Sequence, residues 1–162
     1  MLHTSSMFRM KLLEKREMML YLGADHAGFK LKEAVKKFLD KKGIKYKDLG
    51  AKLLDNQDDY VDYAYEVGKK IRKGVKGILF CGSGFGMCIA ANKIKNVRAV
   101  NLYTVREAEL SRMHNDANIL CLSGWMITRK QAKKIITKFL NTKFSKAKRH
   151  ERRLRKIKKL RK

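Results

Sequence analysis

Short apolar runs alternate with amphipathic helical segments along most of the chain, and this alternation restricts the fold to few architectures. In the helical segments apolar residues recur at helical spacing, as Leu31, Val35 and Leu39 do. The pattern predicts strands at 18–23, 44–49, 78–81, 97–102 and 118–122, and helices at 27–42, 60–72, 87–94, 105–113 and 130–140. Such a β-α order favours an α/β fold, with a parallel five-stranded sheet covered by helices on both faces.

A length of 162 residues suits one compact domain with a single core. No stretch approaches the roughly 18 continuous apolar residues of a membrane span. The N-terminal segment mixes charged with apolar residues and lacks the apolar block of a secretory signal. We therefore expect a cytoplasmic protein that does not enter a membrane.

The three cysteines are Cys81, Cys88 and Cys121. They form no CxxC pair and their number is odd, which argues against a zinc ribbon and against a disulfide framework. Reduced thiols fit best, and Cys88 and Cys121 are interpreted as core residues.

A glycine turn follows the third predicted strand, in FCGSGFGMCIAANK at 80–93. Gly82, Gly84 and Gly86 allow backbone N–H groups to point at an anion or a developing oxyanion, although a tight turn of packing glycines has the same spacing. The dinucleotide pattern GxGxxG requires glycine where Met87 stands, and the Walker pattern fails because Phe29, not lysine, follows Gly28. Any anion bound here is therefore not expected to be a nucleotide.

Cys81 lies where this predicted strand ends and the turn begins. A helix N-terminus stabilises a thiolate, so Cys81 is a candidate catalytic thiol. The alternative is a small residue that only packs in the core.

Polar residues follow other predicted strands and helices. Asp25 and His26 follow the first strand. One interpretation is that one side chain orients or charges the other, or that His26 binds phosphate. The alternative is that Asp25 is only a helix N-cap. His114 and Asn115, with Asp116, are predicted in a loop between a helix and a strand, where a cap and turn is the simpler interpretation. The positions around 101–104 and 123–126 also follow strands. No pair of these residues has metal-ligand spacing, so no metal is predicted.

Much of the net charge of +25 lies in a basic tail, since residues 143–162 contain twelve Lys and Arg and one acid. If this tail is helical, Arg149 and Arg153 lie on one face and can bind a phosphate together. The tail also predicts non-specific binding of polyanions. A solvated charged surface is the alternative.

Several of these segments resemble the ribose-5-phosphate isomerase B family, which also includes galactose-6-phosphate isomerase subunits. The matching pieces are the Asp59-Tyr60 region together with GADHAGFKLKE, GILFCGSGFGMCIAANKI, VRAV, LSRMHNDANILCL and the RHxxR of the tail. They span about 20–153. The resemblance implies a Rossmann-like three-layer α/β/α sandwich, and a homodimer or dimer of dimers with active sites shared between subunits.

By the same resemblance the protein is a cofactor-free and metal-free aldose-ketose isomerase, usually of ribose 5-phosphate and ribulose 5-phosphate. The resemblance implies that Cys81 is the base, that the turn from Gly82 to Gly86 stabilises the enediolate, and that Ser83 assists proton movement. It also implies roles for Asp25 and His114 in ring opening, for Asn115 with the anionic intermediate, for Tyr60 in the pocket, and for His26, Arg149 and Arg153 with the phosphate.

The resemblance divides the chain into an N-terminal extension at 1–17, the isomerase domain at 18–145, and a basic C-terminal helix or tail at 146–162 that completes the phosphate site. Trp125 stands where family members commonly carry an arginine. This difference leaves an isomerase of six-carbon sugar phosphates, of galactose or allose 6-phosphate, as an alternative. The other alternative is a nucleic-acid-binding protein on an inactive isomerase scaffold.

Overall fold

The computed structural model describes residues 19–160, so the predicted extension at 1–17 and residues 161–162 lie outside the described part. Five parallel strands form one sheet in the order β2-β1-β3-β5-β4. The strands are β1 (Met19–Ala24), β2 (Tyr46–Asp48), β3 (Val75–Cys81), β4 (Ala99–Asn101) and β5 (Ile119–Ser123).

Six helices accompany the sheet in the described part of the chain. They are α1 (His26–Lys41), α2 (Tyr60–Gly68), α3 (Phe85–Asn92), α4 (Val105–Asn115), α5 (Arg129–Asn141) and α6 (Lys148–Lys159). Among residues 19–160 no helix has the length and apolar character needed to cross a membrane.

Two apolar cores lie on opposite faces of the sheet. Alternate residues of β1 divide between them, because successive strand side chains point to opposite faces. Leu20 and Leu22 join the core beneath α1, α4 and α5, whereas Tyr21 joins the core beneath α2 and α3. The predicted three-layer α/β/α sandwich is therefore confirmed.

Side-chain caps fix where several of the helices begin. Thr104 and Glu107 form a reciprocal capping box at the start of α4, and Thr128 with Gln131 does the same for α5. Asp25 caps α1 by accepting a hydrogen bond from the Gly28 N–H at 3.0 Å. The N-cap interpretation of Asp25 is therefore confirmed.

The placement of His114 and Asn115 in a loop is wrong, because both belong to the last turn of α4. The helix ends one residue later, where Asp116 adopts a left-handed conformation with φ of 45°. Several predicted bounds also shift by a few residues. For example, α3 begins at Phe85, two residues before the prediction, because Gly84 provides the left-handed N-cap.

Helix α1 packs directly on the backbone of β3 at Gly28. A Cβ atom at this position would lie 2.2 Å from the carbonyl carbon and oxygen of Phe80. A side chain at this position would push α1 away from β3 and so move Asp25 and His26 relative to the end of that strand. Gly28 therefore sets the distance between the start of α1 and the end of β3.

We expect Gly28→Ala to lower the free energy of unfolding by about 2–3 kcal/mol, because a backbone contact relaxes poorly when it is overpacked. Gly43→Ala is the matched control, since no atom lies within 4 Å of its Cβ position and only its φ of +66° opposes the change. That strain costs about 1–2 kcal/mol. Urea unfolding measures both variants, and a Gly28→Ala loss below that of Gly43→Ala would contradict the packing argument.

Candidate active site

The carboxyl end of β3 brings a thiol and backbone donors together. Cys81 is the last residue of the strand, and its Sγ accepts a hydrogen bond from the Gly84 N–H at 3.2 Å. Helix α3 begins at the next residue, so the thiol faces the positive end of a helix. The structure thus brings Cys81 and the glycine turn together.

Each glycine of this turn meets a close neighbour. Gly84 has φ of +87°, and a Cβ atom there would lie 2.0 Å from Asn101 Nδ2. Cβ positions at Gly82 and Gly86 lie 2.5 Å from the Trp125 ring and 2.6 Å from the Tyr60 ring, respectively. Two aromatic rings therefore lie against the turn, and both side chains are exposed.

Ser83 is held through its backbone and leaves its hydroxyl at the surface of the turn. Its Oγ accepts a hydrogen bond from the Phe85 N–H at 3.2 Å, and its carbonyl oxygen accepts one from the Tyr103 hydroxyl at 3.2 Å. The hydroxyl of Ser83 still has its own proton to donate.

Burial raises the pKa of the Cys81 thiol above its ordinary value. The Met87 and Gly84 N–H groups oppose this shift, and the negative charge of Asp25 adds to it. The amide donors at the helix terminus thus favour the thiolate, as expected, but desolvation outweighs them because Cys81 is only 4% exposed.

Asp25 lies beside this thiol at the end of β1. Its backbone N–H donates to the carbonyl oxygen of Phe80 at 3.2 Å, which continues the pairing of β1 with β3. The side chain is 5% exposed, and burial raises the pKa of its carboxyl group. A carboxyl with a raised pKa exchanges protons more readily near neutral pH than an ordinary aspartate.

His26 is oriented by Asp58, not by its neighbour Asp25. Its Nδ1 lies 2.7 Å from Asp58 Oδ1, and its backbone N–H donates to the same oxygen at 3.0 Å. This hydrogen bond raises the pKa of His26. Sequence reasoning missed Asp58, since its only signal is that it precedes the Asp59-Tyr60 pair and the contact spans 32 positions.

The other predicted site residues form a second cluster, where α4 meets α6. The rings of His114 and His150 lie 4.4 Å apart between centroids, and His150 is buried. Burial, with nearby positive charges, lowers the pKa of His150. His150 Nδ1 lies 2.8 Å from Ser145 Oγ, while Asn115, Arg149 and Arg153 are exposed.

These two clusters lie at opposite ends of the strands, the Cys81 cluster at the carboxyl edge of the sheet and the His114 cluster at its amino edge. His114 ends the helix that leads into the amino end of β5, whereas Cys81 pairs with Ser123 at its carboxyl end. Strand β5 has five residues, so the amino and carboxyl edges of the sheet are about 15 Å apart at ~3.3 Å per residue. One chain alone does not bring His114 and the two arginines to Cys81.

Exposed apolar side chains surround the carboxyl-edge cluster. Val61 and Tyr65 project from α2, and Phe85 and Ile89 project from α3, with exposed fractions between 45% and 64%. Trp125 is 73% exposed beside them. Apolar surface of this extent is typical of a protein interface.

Other parts of the molecule carry no predicted site residue. A surface cleft of about 560 Å³ lies between α1 and α5, and its lining includes four lysines and Phe38. Among residues 19–160, no three His, Cys, Asp or Glu side chains converge as metal ligands would. Cys121 is fully buried and packs in the core, as predicted.

Comparisons with known proteins agree with one another. A family model described as Ribose/Galactose Isomerase matches residues 20–157. A protein of Mycoplasma genitalium named probable ribose-5-phosphate isomerase B is 40% identical over 141 residues, which is 85% of this chain and 92% of that protein. Ribose-5-phosphate isomerase B of Mycobacterium tuberculosis is 39% identical over 139 residues, 85% of this chain and 86% of that protein.

Solved structures show the same similarity. Ribose-5-phosphate isomerase B of Mycoplasma genitalium with bound ribulose 5-phosphate superposes with a TM-score of 0.84 at 38% identity, covering 88% of this chain and 95% of that one. The isomerase of Thermotoga maritima gives a TM-score of 0.83 at 43% identity, covering 87% and 97%.

The thiols of Cys81 and Cys88 should ionise in a defined order. Burial raises the pKa of Cys81, whereas a hydrogen bond from the buried Cys121 thiol lowers the pKa of Cys88. The pH midpoint of iodoacetamide alkylation should therefore be lower for Cys88 than for Cys81, as followed by peptide mass spectrometry. The reverse order would contradict the dominance of burial at Cys81.

Proposed function

The chain belongs to the ribose/galactose isomerase family, and from this premise we propose that it interconverts ribose 5-phosphate and ribulose 5-phosphate through an enediolate. The observation that carries this proposal is the Cys81 thiol, which lies against the N–H groups of a glycine turn at the N-terminus of α3. The names of the relatives from Mycoplasma and Mycobacterium support the choice of a five-carbon sugar phosphate.

The reaction needs a base near carbon and donors near oxygen. In the open-chain aldose, the Cys81 thiolate removes the proton from C2, the electron pair forms the C1–C2 double bond, and O1 takes the negative charge. N–H groups of the turn from Gly82 to Gly86 stabilise this charge. A proton then moves from O2 to O1 with help from Ser83. The Cys81 thiol, whose S–H proton exchanges with solvent, then protonates C1, which leaves the ketone at C2.

The raised pKa of Cys81 makes its thiolate a stronger base but lowers the fraction of the thiol that is ionised. A thiol with a high pKa is a stronger base once ionised, so it removes a carbon-bound proton more readily. Only a small fraction is ionised at neutral pH, however, and the rate should rise with pH until the thiol titrates. We assign Asp25 to proton exchange during ring opening, and its raised pKa supports this role.

The remaining roles require a second subunit. We assign His114 to ring opening, Asn115 to the anionic intermediate, and Arg149 and Arg153, with His26, to the phosphate. Because His114 and both arginines lie at the opposite edge of the sheet from Cys81, we propose a homodimer or dimer of dimers in which one subunit's α4 and α6 complete its partner's site. The exposed apolar residues of α2 and α3 are the surface such a partner would cover.

Trp125 and Tyr60 are assigned to the walls of the substrate pocket, since both rings lie against the glycine turn. An indole gives an apolar wall with no positive charge. Six-carbon sugar phosphates are therefore kept as alternative substrates. We keep non-specific binding of polyanions as a secondary property of the outer face of α6, where Arg152, Arg155 and Lys156 are exposed.

Cys81→Ala should lower kcat for ribose 5-phosphate by at least about a hundredfold, because it removes the base. Cys88→Ala is the matched control, since it removes a nearby thiol that lies on α3 and not at the end of β3. The assay follows ribulose 5-phosphate formation and repeats the wild-type measurement with allose and galactose 6-phosphates. Unchanged turnover in Cys81→Ala would overturn the mechanism, and preference for a six-carbon substrate would change the assignment of the sugar.

A shared site predicts complementation between two inactive variants. Cys81→Ala and His114→Ala chains, each carrying a different tag, are co-expressed and purified as mixed dimers. Every mixed dimer has one doubly damaged site and one intact site, so it should show about half of the wild-type activity. Activity no higher than the mean of the two parent variants would mean that Cys81 and His114 do not act across a subunit interface.

A further inference from the structure

We propose that Asp58 is a positioning residue for the phosphate site, because it fixes the orientation of the His26 ring and holds that ring as a cation for the phosphate group. The proposal rests on the proposed function, in which His26 binds the phosphate of the substrate. Asp58 belongs to the segment between β2 and α2, and none of the residues assigned above to the site holds the His26 ring.

The contact between Asp58 and His26 is double and largely buried. One oxygen, Oδ1, accepts from the backbone N–H of His26 at 3.0 Å and lies 2.7 Å from Nδ1 of its ring. The Asp58 side chain is 6% exposed, whereas the His26 side chain is 37% exposed. The carboxylate therefore holds the ring from the protein side, and the rest of the ring faces solvent.

This contact determines which ring nitrogen is available to a ligand. A carboxylate only accepts hydrogen bonds, so the ring must carry a proton on Nδ1. The described part of the chain shows no hydrogen-bond partner for Nε2, which lies on the side of the ring away from Asp58. Nε2 is thus the atom that meets the substrate, and it donates to a phosphate oxygen only when the ring is protonated.

The charges around His26 all favour that protonated form. Asp58 has the largest effect, through its hydrogen bond, and Asp25 and Asp55 add smaller electrostatic contributions. Partial burial opposes them, yet the pKa of His26 is raised overall. The cation is the form present below this pKa, so phosphate binding should persist to a higher pH than an ordinary histidine allows and should weaken above it.

The second oxygen of Asp58 is buried without a close donor, which is unfavourable for the fold. Oδ2 is buried, and no donor in residues 19–160 reaches it with hydrogen-bond geometry, although the Tyr63 phenol lies near the carboxylate. A buried carboxylate oxygen without a donor destabilises the fold. The segment that carries Asp58 is nevertheless held in place, because buried Lys32 pairs with Asp48 and donates to the carbonyl oxygen of Ala51.

The test separates the charge of Asp58 from its geometry. Asp58→Asn keeps an oxygen that accepts from Nδ1 but removes the charge, whereas Asp58→Ala removes both. Asp55→Asn is the matched control, since Asp55 carries the same charge near His26 but accepts from the Gln57 N–H instead. Nitrogen-15 NMR of the imidazole measures the pKa and the tautomer of His26 in the free protein, independently of any isomerase activity.

We expect Asp58→Asn to lower the pKa of His26 by about one unit and to keep the proton on Nδ1, since a neighbouring charge shifts a pKa by about 1–3 units. Asp58→Ala should also lower the pKa and should mix the two tautomers. Asp55→Asn should change neither property noticeably. At pH 8, Asp58→Asn should weaken binding of ribose 5-phosphate about tenfold, because the cation becomes correspondingly rarer. At pH 5.5, where the ring is protonated in both proteins, the two dissociation constants should agree.

Two results would overturn the proposal. One is an unchanged pKa of His26 in Asp58→Asn, and the other is an equal loss of binding at pH 8 and pH 5.5, which would indicate a merely structural role. Failure of the proposed function is a different outcome. It would appear as a wild-type protein that fails to isomerise any sugar phosphate, whatever the titration of His26 shows.

Discussion

The hydrogen bond from the Gly84 N–H to Cys81 Sγ joins the last residue of β3 to the residue that caps α3. A buried parallel strand fixes where the thiol lies, and the helix that follows fixes where the amide donors point. Asp25 reaches the same place because β1 pairs with β3, and Trp125 does so because it follows β5. The chemistry of the carboxyl edge therefore depends on three adjacent strands ending together.

A parallel sheet also explains why one chain does not bring all of the proposed site residues together. Every helix that returns from the carboxyl edge ends at the amino edge, so a residue at the end of α4, such as His114, must lie far from Cys81. Association of two subunits is the direct way to bring opposite edges together. The same arrangement divides the charges, because His26 and its acidic neighbours lie at one edge while Arg149 and Arg153 lie at the other.

The sequence was sufficient to predict the sheet, its covering helices and the glycine turn, because these follow from apolar periodicity and from residues adjacent in the chain. It was not sufficient for Asp58, whose contact with His26 joins segments 32 positions apart. The net pKa shift of Cys81 was not predictable either, since a helix terminus is visible in a sequence but the depth of burial is not. His114 was misplaced because the left-handed Asp116 that ends α4 carries no glycine signal.

The central claim is that the Cys81 thiolate removes a carbon-bound proton while the adjacent amides hold the resulting charge. Proton NMR of ribose 5-phosphate incubated with the enzyme in deuterium oxide tests it most directly. The account predicts that the wild-type protein introduces solvent deuterium at the exchanging carbon, and that Cys81→Ala does not, even with substrate bound. Deuterium incorporation at the same rate in both proteins would contradict the account.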